Sequence, residues 1–187
     1  MTVKVITDST ADIPRTVTQE LDISIVPIYV RFGEKTYRDG VDLSPDELYA
    51  RLISSDIHPA TSQPNPEDFV AAFSAHCDST DGIVSVHISS KISGTYNSAS
   101  MAKKTLKSRC PIEVIDSKFN SAGLGLVVRA AARKALSGGT IAEVVAEANN
   151  AVAETRMFGM FKTMKYLARS GRVNKTIAAA SQFLSVM

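Results

Sequence analysis

Short apolar runs alternate with helix-forming segments along most of this chain, and this alternation restricts the fold more than any other feature. Apolar runs at residues 3–7, 83–88 and 111–116 are each followed by a turn and then by a helical pattern. Strands that alternate with helices of about 10 to 15 residues form βαβ units, in which the strands pair in parallel. The sequence therefore predicts an α/β fold with a mostly parallel sheet and helices on both faces.

Explicit start signals place the helices. In a capping box, a Ser, Thr or Asn side chain and an acidic side chain three residues later each accept the other's backbone N–H. Such boxes begin at Ser44, Asn65 and Thr140, and proline follows the first two at the first helical position. Helices are predicted at residues 14–21, 45–54, 66–77, 94–108, 121–136 and 141–155.

The remaining segments carry β and loop signals. Residues 23–32 are predicted to form one β-rich run, and Gly33-Glu34 resembles a two-residue hairpin turn leading into residues 35–38. Residues 157–161 have the pattern of an apolar strand, and residues 165–170 and 174–187 that of helices. We expect residues 1–150 to form the α/β domain. Residues 151–187 either pack onto this domain or begin a second α/β domain that this chain does not complete, and the family resemblance described below favours the second domain.

Charge and cysteine content exclude several classes of function. The chain of 187 residues has 21 Lys and Arg against 19 Asp and Glu, a net charge of +2 with interspersed signs, so we expect no nucleic-acid partner. Two cysteines are too few for a disulfide framework or a Cys-based zinc site, which favours the reducing cytoplasm. We expect no signal peptide and no membrane span, which needs roughly 18 apolar residues. The histidines lack metal-ligand spacing, so we expect no metal.

Polar side chains gather where the predicted parallel strands end. These ends form one edge of the sheet, here called the rim, where ligands of such folds bind. Hydroxyl and backbone donors at helix starts suit a carboxylate or phosphate, although helix capping alone explains each cluster. Residues 60–64, expected to form a loop, could reach the same rim. The rim residues are Asp8, Ser9 and Thr10, then Ser89, Ser90, Ser93, Gly94 and Thr95, and then Asp116, Ser117 and Ser121.

Catalytic motifs are weak in this sequence. No Gly-x-Ser-x-Gly nucleophile motif occurs. Asp8 leaves open the alternative of a phosphotransferase or phosphatase that forms an aspartyl phosphate. Such proteins need a second acidic residue two positions later, and this chain has Thr10 there. Gly123-x-Gly125 lacks the third glycine of a dinucleotide-binding loop. We therefore assign no catalytic residue.

Five segments occur together, in order and nearly end to end. They are ITDSTADI at 6–13, TSQP at 61–64, SSKISGTYNSA at 89–99, DS at 116–117 with SAGLG at 121–125, and YLARSGRV at 166–173. Together they resemble the signature series of the DegV family of bacterial fatty-acid-binding proteins. Family members continue past the segment that matches residues 177–187 with the rest of a second domain.

The resemblance implies a two-domain α/β protein that binds a long-chain fatty acid between its domains and has no cofactor of its own. It implies that Thr61 and Ser93 bind the carboxylate. It also implies that the protein resembles the acyl-binding subunit of bacterial fatty acid kinase, which presents the acid to a separate ATP-binding subunit for acyl phosphate formation. The residues expected to support the site are Asp8, Ser9, Ser62, Ser90, Gly94, Thr95, Asp116, Ser117, Ser121 and Arg172.

Overall fold

The computed structural model describes residues 3–54, 57–106, 110–161 and 165–172. Within these ranges the chain forms seven strands, seven α-helices and a 3-10 turn directly after the first strand. The strands are β1 (Val3–Asp8), β2 (Ile23–Val26), β3 (Tyr29–Phe32), β4 (Lys35–Arg38), β5 (Ala60–Ser62), β6 (Gly82–His87) and β7 (Ile112–Asp116). The helices are α1 (Arg15–Glu20), α2 (Pro45–Ser54), α3 (Pro66–Cys77), α4 (Thr95–Thr105), α5 (Ser121–Leu136), α6 (Ile141–Glu154) and α7 (Lys165–Ser170).

Four strands form a parallel sheet in the order β2-β1-β6-β7. The chain places β2 on one side of β1 and later places β6 and β7 on the other side, so the strand order reverses between β1 and β6. Open α/β sheets bind ligands outside the carboxyl ends of the strands at such a reversal. The predicted α/β fold with a parallel sheet is confirmed, and β1 and β6 border the point where a ligand is expected.

Helices cover both faces of this sheet. On one face, α5 and α6 contribute Val127 and Val144 to a core that includes Val5 of β1. On the other face, Phe69 of α3 belongs to a core that includes Ile6, the next residue of β1. Strands buried on both faces have no polar side to alternate with an apolar one, which explains why the first strand reads as a continuous run.

A second, antiparallel sheet has the order β4-β3-β5. The prediction of one run at 23–32 is wrong, because the chain ends its pairing with β1 at Val26 and begins β3 at Tyr29. Pro27 lies between them and has no N–H to donate to a strand ladder. The hairpin turn is confirmed, since β3 and β4 pair across it and Gly33 has a φ of 59°.

Residues 60–64 are not entirely the predicted loop. Ala60–Ser62 form the short strand β5, in which Thr61 lies opposite Val30 of β3. A strand this short has too little periodicity to be read from sequence, so its partner strand decides whether it forms. The pairing gives Thr61 a definite position at the edge of the small sheet.

The predicted capping boxes are confirmed. The backbone N–H groups of Ser44, Asn65 and Thr140 each donate to the carboxylate three residues later, at 2.9, 2.7 and 2.8 Å. The helix predicted at 94–108 is α4, which ends at Thr105, and residue 108 lies outside the described residues. Among the residues described, none of the helices combines the length and apolar character of a transmembrane span.

The chain divides into two units, one up to Arg156 and one from Met157 onward. In the second unit, α7 confirms the predicted helix at 165–170. The predicted strand at 157–161 is wrong, because these residues have no regular secondary structure. An apolar pattern does not supply the neighbouring strand that a ladder of hydrogen bonds requires. Residues 174–187, predicted to be helical, lie outside the described residues.

Candidate functional site at the rim

Asp8 and His87 meet where the strand order reverses. Asp8 is the last residue of β1 and His87 is the last residue of β6, and both side chains are fully buried. His87 Nδ1 lies 2.9 Å from Asp8 Oδ2. The contact follows from the strand register, in which Thr7 lies opposite Val86, so that the next residue of each strand reaches the rim together. The pair joins the two central strands at their carboxyl ends.

The carboxylate of Asp8 is fully occupied within the protein. Besides His87, its donors are the N–H of Ile88 at 3.1 Å and the N–H and hydroxyl of Thr10 at 3.1 and 2.5 Å. Burial alone raises the pKa of Asp8, but the hydrogen bond and charge of His87 and the hydrogen bonds of Thr10 and Ile88 outweigh it. The pKa of Asp8 therefore lies below its ordinary value. Asp8 is a buried anion whose role is to accept hydrogen bonds.

His87 extends this network into the core. Its Nε2 lies 2.6 Å from Ser85 Oγ on the same strand, and its ring packs edge-on against Phe69 with centroids 4.9 Å apart. The order Ser-His-Asp resembles a hydrolase triad, but Ser85 has no exposed surface, so no substrate reaches its hydroxyl. The same burial argues against Asp8 as a phosphoryl acceptor, because its carboxylate has no access to an incoming phosphate.

The sequence does not predict the contact between His87 and Asp8. The two residues are 79 positions apart in the chain, and their contact depends on β1 and β6 being neighbours. The one signal in the sequence was that both residues lie at the end of a predicted strand.

Residues 88–94, here called the 88–94 loop, connect β6 to α4. The N–H of Ser89 donates to the carbonyl of Phe119 at 2.8 Å. Ser90 donates its hydroxyl to Asp116 Oδ2 at 2.6 Å and its N–H to Asp116 Oδ1 at 3.3 Å. Asp116 ends β7, the strand beside β6. The loop is therefore bonded to elements on both sides of its own strand.

Ser93 and Thr95 lie where this loop becomes α4. Their hydroxyl oxygens are 2.9 Å apart, and the N–H of Thr95 donates to Ser93 Oγ at 3.3 Å. When the buried Thr95 hydroxyl donates to Ser93, the Ser93 hydroxyl proton is free to donate to an anion. Gly94, the N-cap residue of α4, has no side chain that could accept the N–H groups of Tyr96 and Asn97. The N–H groups of the first turn of α4 can therefore also face an anion.

Gln63 joins the TSQP segment to the start of α4. A Cβ placed on Gly94 would lie 2.6 Å from Gln63 Nε2 and 2.7 Å from Gln63 Cδ, so the amide packs directly on the Gly94 backbone. Because Gln63 comes two residues after Thr61, this contact brings the two motifs of the predicted site together. Gln63 is part of the TSQP motif, but the packing of its amide on Gly94 is not apparent from the sequence.

Thr61 and Ser62 are both exposed on β5. Within the described part of the chain, the structure shows no hydrogen bond from a protein group to the Thr61 hydroxyl. Thr61 thus differs from most of the other predicted site hydroxyls, which have partners within the protein.

The hydroxyls of Ser9, Ser117 and Ser121 form hydrogen bonds with other protein groups at the rim. Ser9 Oγ accepts the N–H of Ile28 at 3.1 Å, and Ser121 donates to Asp12 Oδ2 at 2.5 Å. Ser117 is buried, and its hydroxyl donates to the backbone carbonyl two residues later. The support of a ligand by Ser9, Ser117 and Ser121 stays a prediction.

Acidic groups lie on the Ser9 side of the rim. Burial raises the pKa of Asp39, a hydrogen bond with Ser9 lowers it, and the charge of Asp12 raises it, with a net upward shift. Carboxylates that repel each other make a poor environment for a further anion. The binding of an oxyanion by Thr61 and Ser93 stays a prediction, and the donors in the first turn of α4 lie beside Ser93.

Arg172 lies in the second unit, and its guanidinium donates to the carbonyl of Ser170 at 2.8 Å. Its predicted support of the site stays a prediction. Across residues 3–54, 57–106, 110–161 and 165–172, no group of three or more His, Cys, Asp or Glu side chains is arranged to hold a metal ion.

The fold and the rim together define an open-sheet α/β protein with hydroxyl and backbone donors at the reversal of its strand order. Comparison with known proteins then identifies the family. The model described as "Uncharacterised protein, DegV family" matches residues 2–187. The chain belongs to the DegV family.

Relatives and solved structures agree with this assignment. The DegV domain-containing protein CPE1310 of Clostridium perfringens is 36% identical over 176 residues, covering 92% of this chain and 62% of the relative. A stearic-acid-binding protein from Eubacterium ventriosum has a TM-score of 0.89 at 32% identity, covering 97% of this chain and 64% of that one. A fatty-acid-binding DegV family protein from Thermus thermophilus has a TM-score of 0.83 at 30% identity, covering 99% and 65%. The chain thus spans less than two thirds of the length of each.

Proposed function

We propose that this chain belongs to a protein that binds a long-chain fatty acid, with the carboxylate bound by the hydroxyls of Thr61 and Ser93. Two structural neighbours are fatty-acid-binding proteins, which supports this class of ligand. The contact of the Gln63 amide with Gly94 carries the residue assignment, because it joins the segments that contain Thr61 and Ser93.

The chemistry of these groups suits a carboxylate. The Thr61 hydroxyl, the Ser93 hydroxyl and the first turn of α4 all supply donors, and hydrogen bonds to a charged group contribute about 1.5 to 3 kcal/mol each. Two hydroxyls would therefore contribute about 3 to 6 kcal/mol. Transfer of about 14 methylenes from water would add roughly 11 kcal/mol before ordering costs. The acyl chain supplies most of the affinity, and the hydroxyls select an acidic head group.

We further propose that the whole protein presents the bound acid to a separate ATP-binding subunit. In that reaction the carboxylate attacks the γ-phosphoryl group of ATP, and the products are an acyl phosphate and ADP. The burial of Asp8 and Ser85 supports a chain that contributes no catalytic residue of its own. Cys77 and Cys110 are not joined in a disulfide, which suits the proposed reducing cytoplasm.

Calorimetric titration of the chain with palmitate tests the binding proposal. We expect the Thr61→Val/Ser93→Ala double variant to bind palmitate at least about 100-fold more weakly than the unmodified chain, since each 1.4 kcal/mol is about tenfold in affinity. The matched control is Thr36→Val. Thr36 lies opposite Arg31 whereas Thr61 lies opposite Val30, so the two threonines occupy opposite faces of the same sheet.

The control should bind palmitate like the unmodified chain, and all variants should unfold at similar temperatures. Equal palmitate affinity in the double variant would show that the carboxylate lies elsewhere. If mass spectrometry of the denatured, purified protein found nucleotides or phosphorylated metabolites and no fatty acid, the ligand class itself would be wrong.

A further inference from the structure

We infer that Asp8 is a positioning residue for the carboxylate site, because it holds the 88–94 loop that carries Ser93. The inference rests on the proposed function and adds to it a residue that does not touch the ligand. It also replaces the expectation that Asp8 supports the ligand directly.

The two carboxylate oxygens of Asp8 accept hydrogen bonds at the ends of different strands, one after β1 and the other at the end of β6. Oδ1 accepts the N–H and hydroxyl of Thr10, which follows β1. Oδ2 accepts His87 Nδ1–H and the N–H of Ile88, the first residue of the 88–94 loop. One buried carboxylate thus sets the position of the loop relative to the end of β1.

Hydrogen bonds within the 88–94 loop connect the position of Ser93 to that of Ile88. The N–H groups of Ile92 and Ser93 both donate to the carbonyl of Ser89 at 3.1 Å, which closes the loop into a compact turn. Asp116 holds Ser90 from the opposite side. Because Ser93 is bonded to Ser89, the residue directly after Ile88, we expect a shift at Ile88 to change the position of Ser93.

Joining β1 to β6 does not by itself explain why position 8 carries a buried carboxylate. Burial of a carboxylate is unfavourable even when it is hydrogen-bonded, and an apolar pair of similar volume would join two strands with less penalty. A carboxylate is the group that can accept the loop N–H and the Thr10 donors at once. The four hydrogen bonds to Asp8 therefore fix the start of the 88–94 loop relative to the end of β1.

The substitution Asp8→Asn separates these roles. The Asn carbonyl oxygen still accepts from Thr10, and its NH₂ group can donate to His87 Nδ1 once the imidazole proton moves to Nε2. The NH₂ group also faces the N–H of Ile88, which loses its acceptor. We expect palmitate affinity to fall by about tenfold or more, as one orphaned buried donor implies. We also expect faster amide exchange at Ile88 and shifted amide signals through Ser93 in NMR spectra without palmitate.

The matched control is Ile83→Val, at the other end of β6 and equally buried. It lowers stability without touching the rim, so it should leave both palmitate affinity and the NMR signals of the 88–94 loop unchanged. Both variants are measured at a temperature where they are fully folded.

The palmitate affinities and stabilities of these variants distinguish failure of this inference from failure of the proposed function. If the unmodified chain binds palmitate and Asp8→Asn binds it equally well, Asp8 does not position the site and only this inference fails. If both variants lose affinity in proportion to stability, the role of Asp8 is structural and the inference also fails. If the unmodified full-length protein does not bind palmitate, the proposed function fails and this inference fails with it.

Discussion

Removal of the Asp8 carboxylate should destabilise the fold by an amount that the surrounding donors determine. In Asp8→Ala, the buried donors His87 Nδ1–H and Ile88 N–H both lose their acceptor, while the half-buried Thr10 can bond to water. Each orphaned buried donor costs about 1 to 3 kcal/mol, so we expect a loss of about 2 to 6 kcal/mol in the free energy of unfolding. In Asp8→Asn, the His87 proton can move to Nε2, which faces Ser85, and Nδ1 then accepts from the Asn NH₂ group. Only the Ile88 N–H is then orphaned, so this variant should cost about 1 to 3 kcal/mol.

The contribution of Asp8 to the free energy of unfolding depends on pH, and the direction of its pKa shift decides at which pH the contribution is lost. The pKa of Asp8 is lowered in the folded protein, so Asp8 contributes stability above its unfolded pKa of about 3.9. That contribution is lost as the pH falls through the lower folded pKa. The stability difference between the unmodified chain and Asp8→Asn should therefore be constant from about pH 7 to about pH 5 and shrink below about pH 4.

Urea unfolding followed by far-ultraviolet circular dichroism measures these differences across the same pH range. Ile83→Val serves as the control, because it removes a buried methylene and no titratable group, so its cost should not change with pH. A difference for Asp8→Asn that persisted or grew in acid would refute the reasoning. So would an Asn variant as unstable as the Ala variant.

Two glycine substitutions make contrasting predictions. In Gly94→Ala the new Cβ meets the movable amide end of Gln63, so we expect a thermal midpoint close to that of the unmodified chain but weaker palmitate binding in titrations. In Gly125→Ala the Cβ would lie 2.8 Å from the fixed backbone oxygen of Ala11. The overlap costs about 1 to 3 kcal/mol against a helix gain of about 1 kcal/mol, so urea unfolding should show a net loss of up to about 2 kcal/mol. A stabilised Gly125→Ala variant would contradict the close approach of α5 to the 3-10 turn.

Much of the fold could be predicted because its signals are local. The capping boxes at Ser44, Asn65 and Thr140 act over three residues, and the helices that follow them begin as predicted. The hairpin turn at Gly33 depends on one backbone conformation. The strand predicted at 157–161 failed for the opposite reason, since a strand exists only where another strand accepts its hydrogen bonds.

The candidate site was only partly predictable. The segments that contain Thr61 and Ser93 could be singled out from the sequence, because hydroxyl donors before a helix start have a chemical meaning on their own. The packing of Gln63 on Gly94 could not, because an exposed amide in a loop has no preferred partner until the fold supplies one.

By itself the sequence determined the alternation of strands and helices, the helix starts and the order of its motifs, all of which act between residues close in the chain. Only the tertiary structure decided that residues 23–32 divide between two sheets and that β5 joins the second of them. It also decided that Asp8 bonds His87 across 79 positions. The physical reason is that strand pairing and buried hydrogen bonds depend on which distant segments become neighbours, and a local pattern specifies only which groups need a partner.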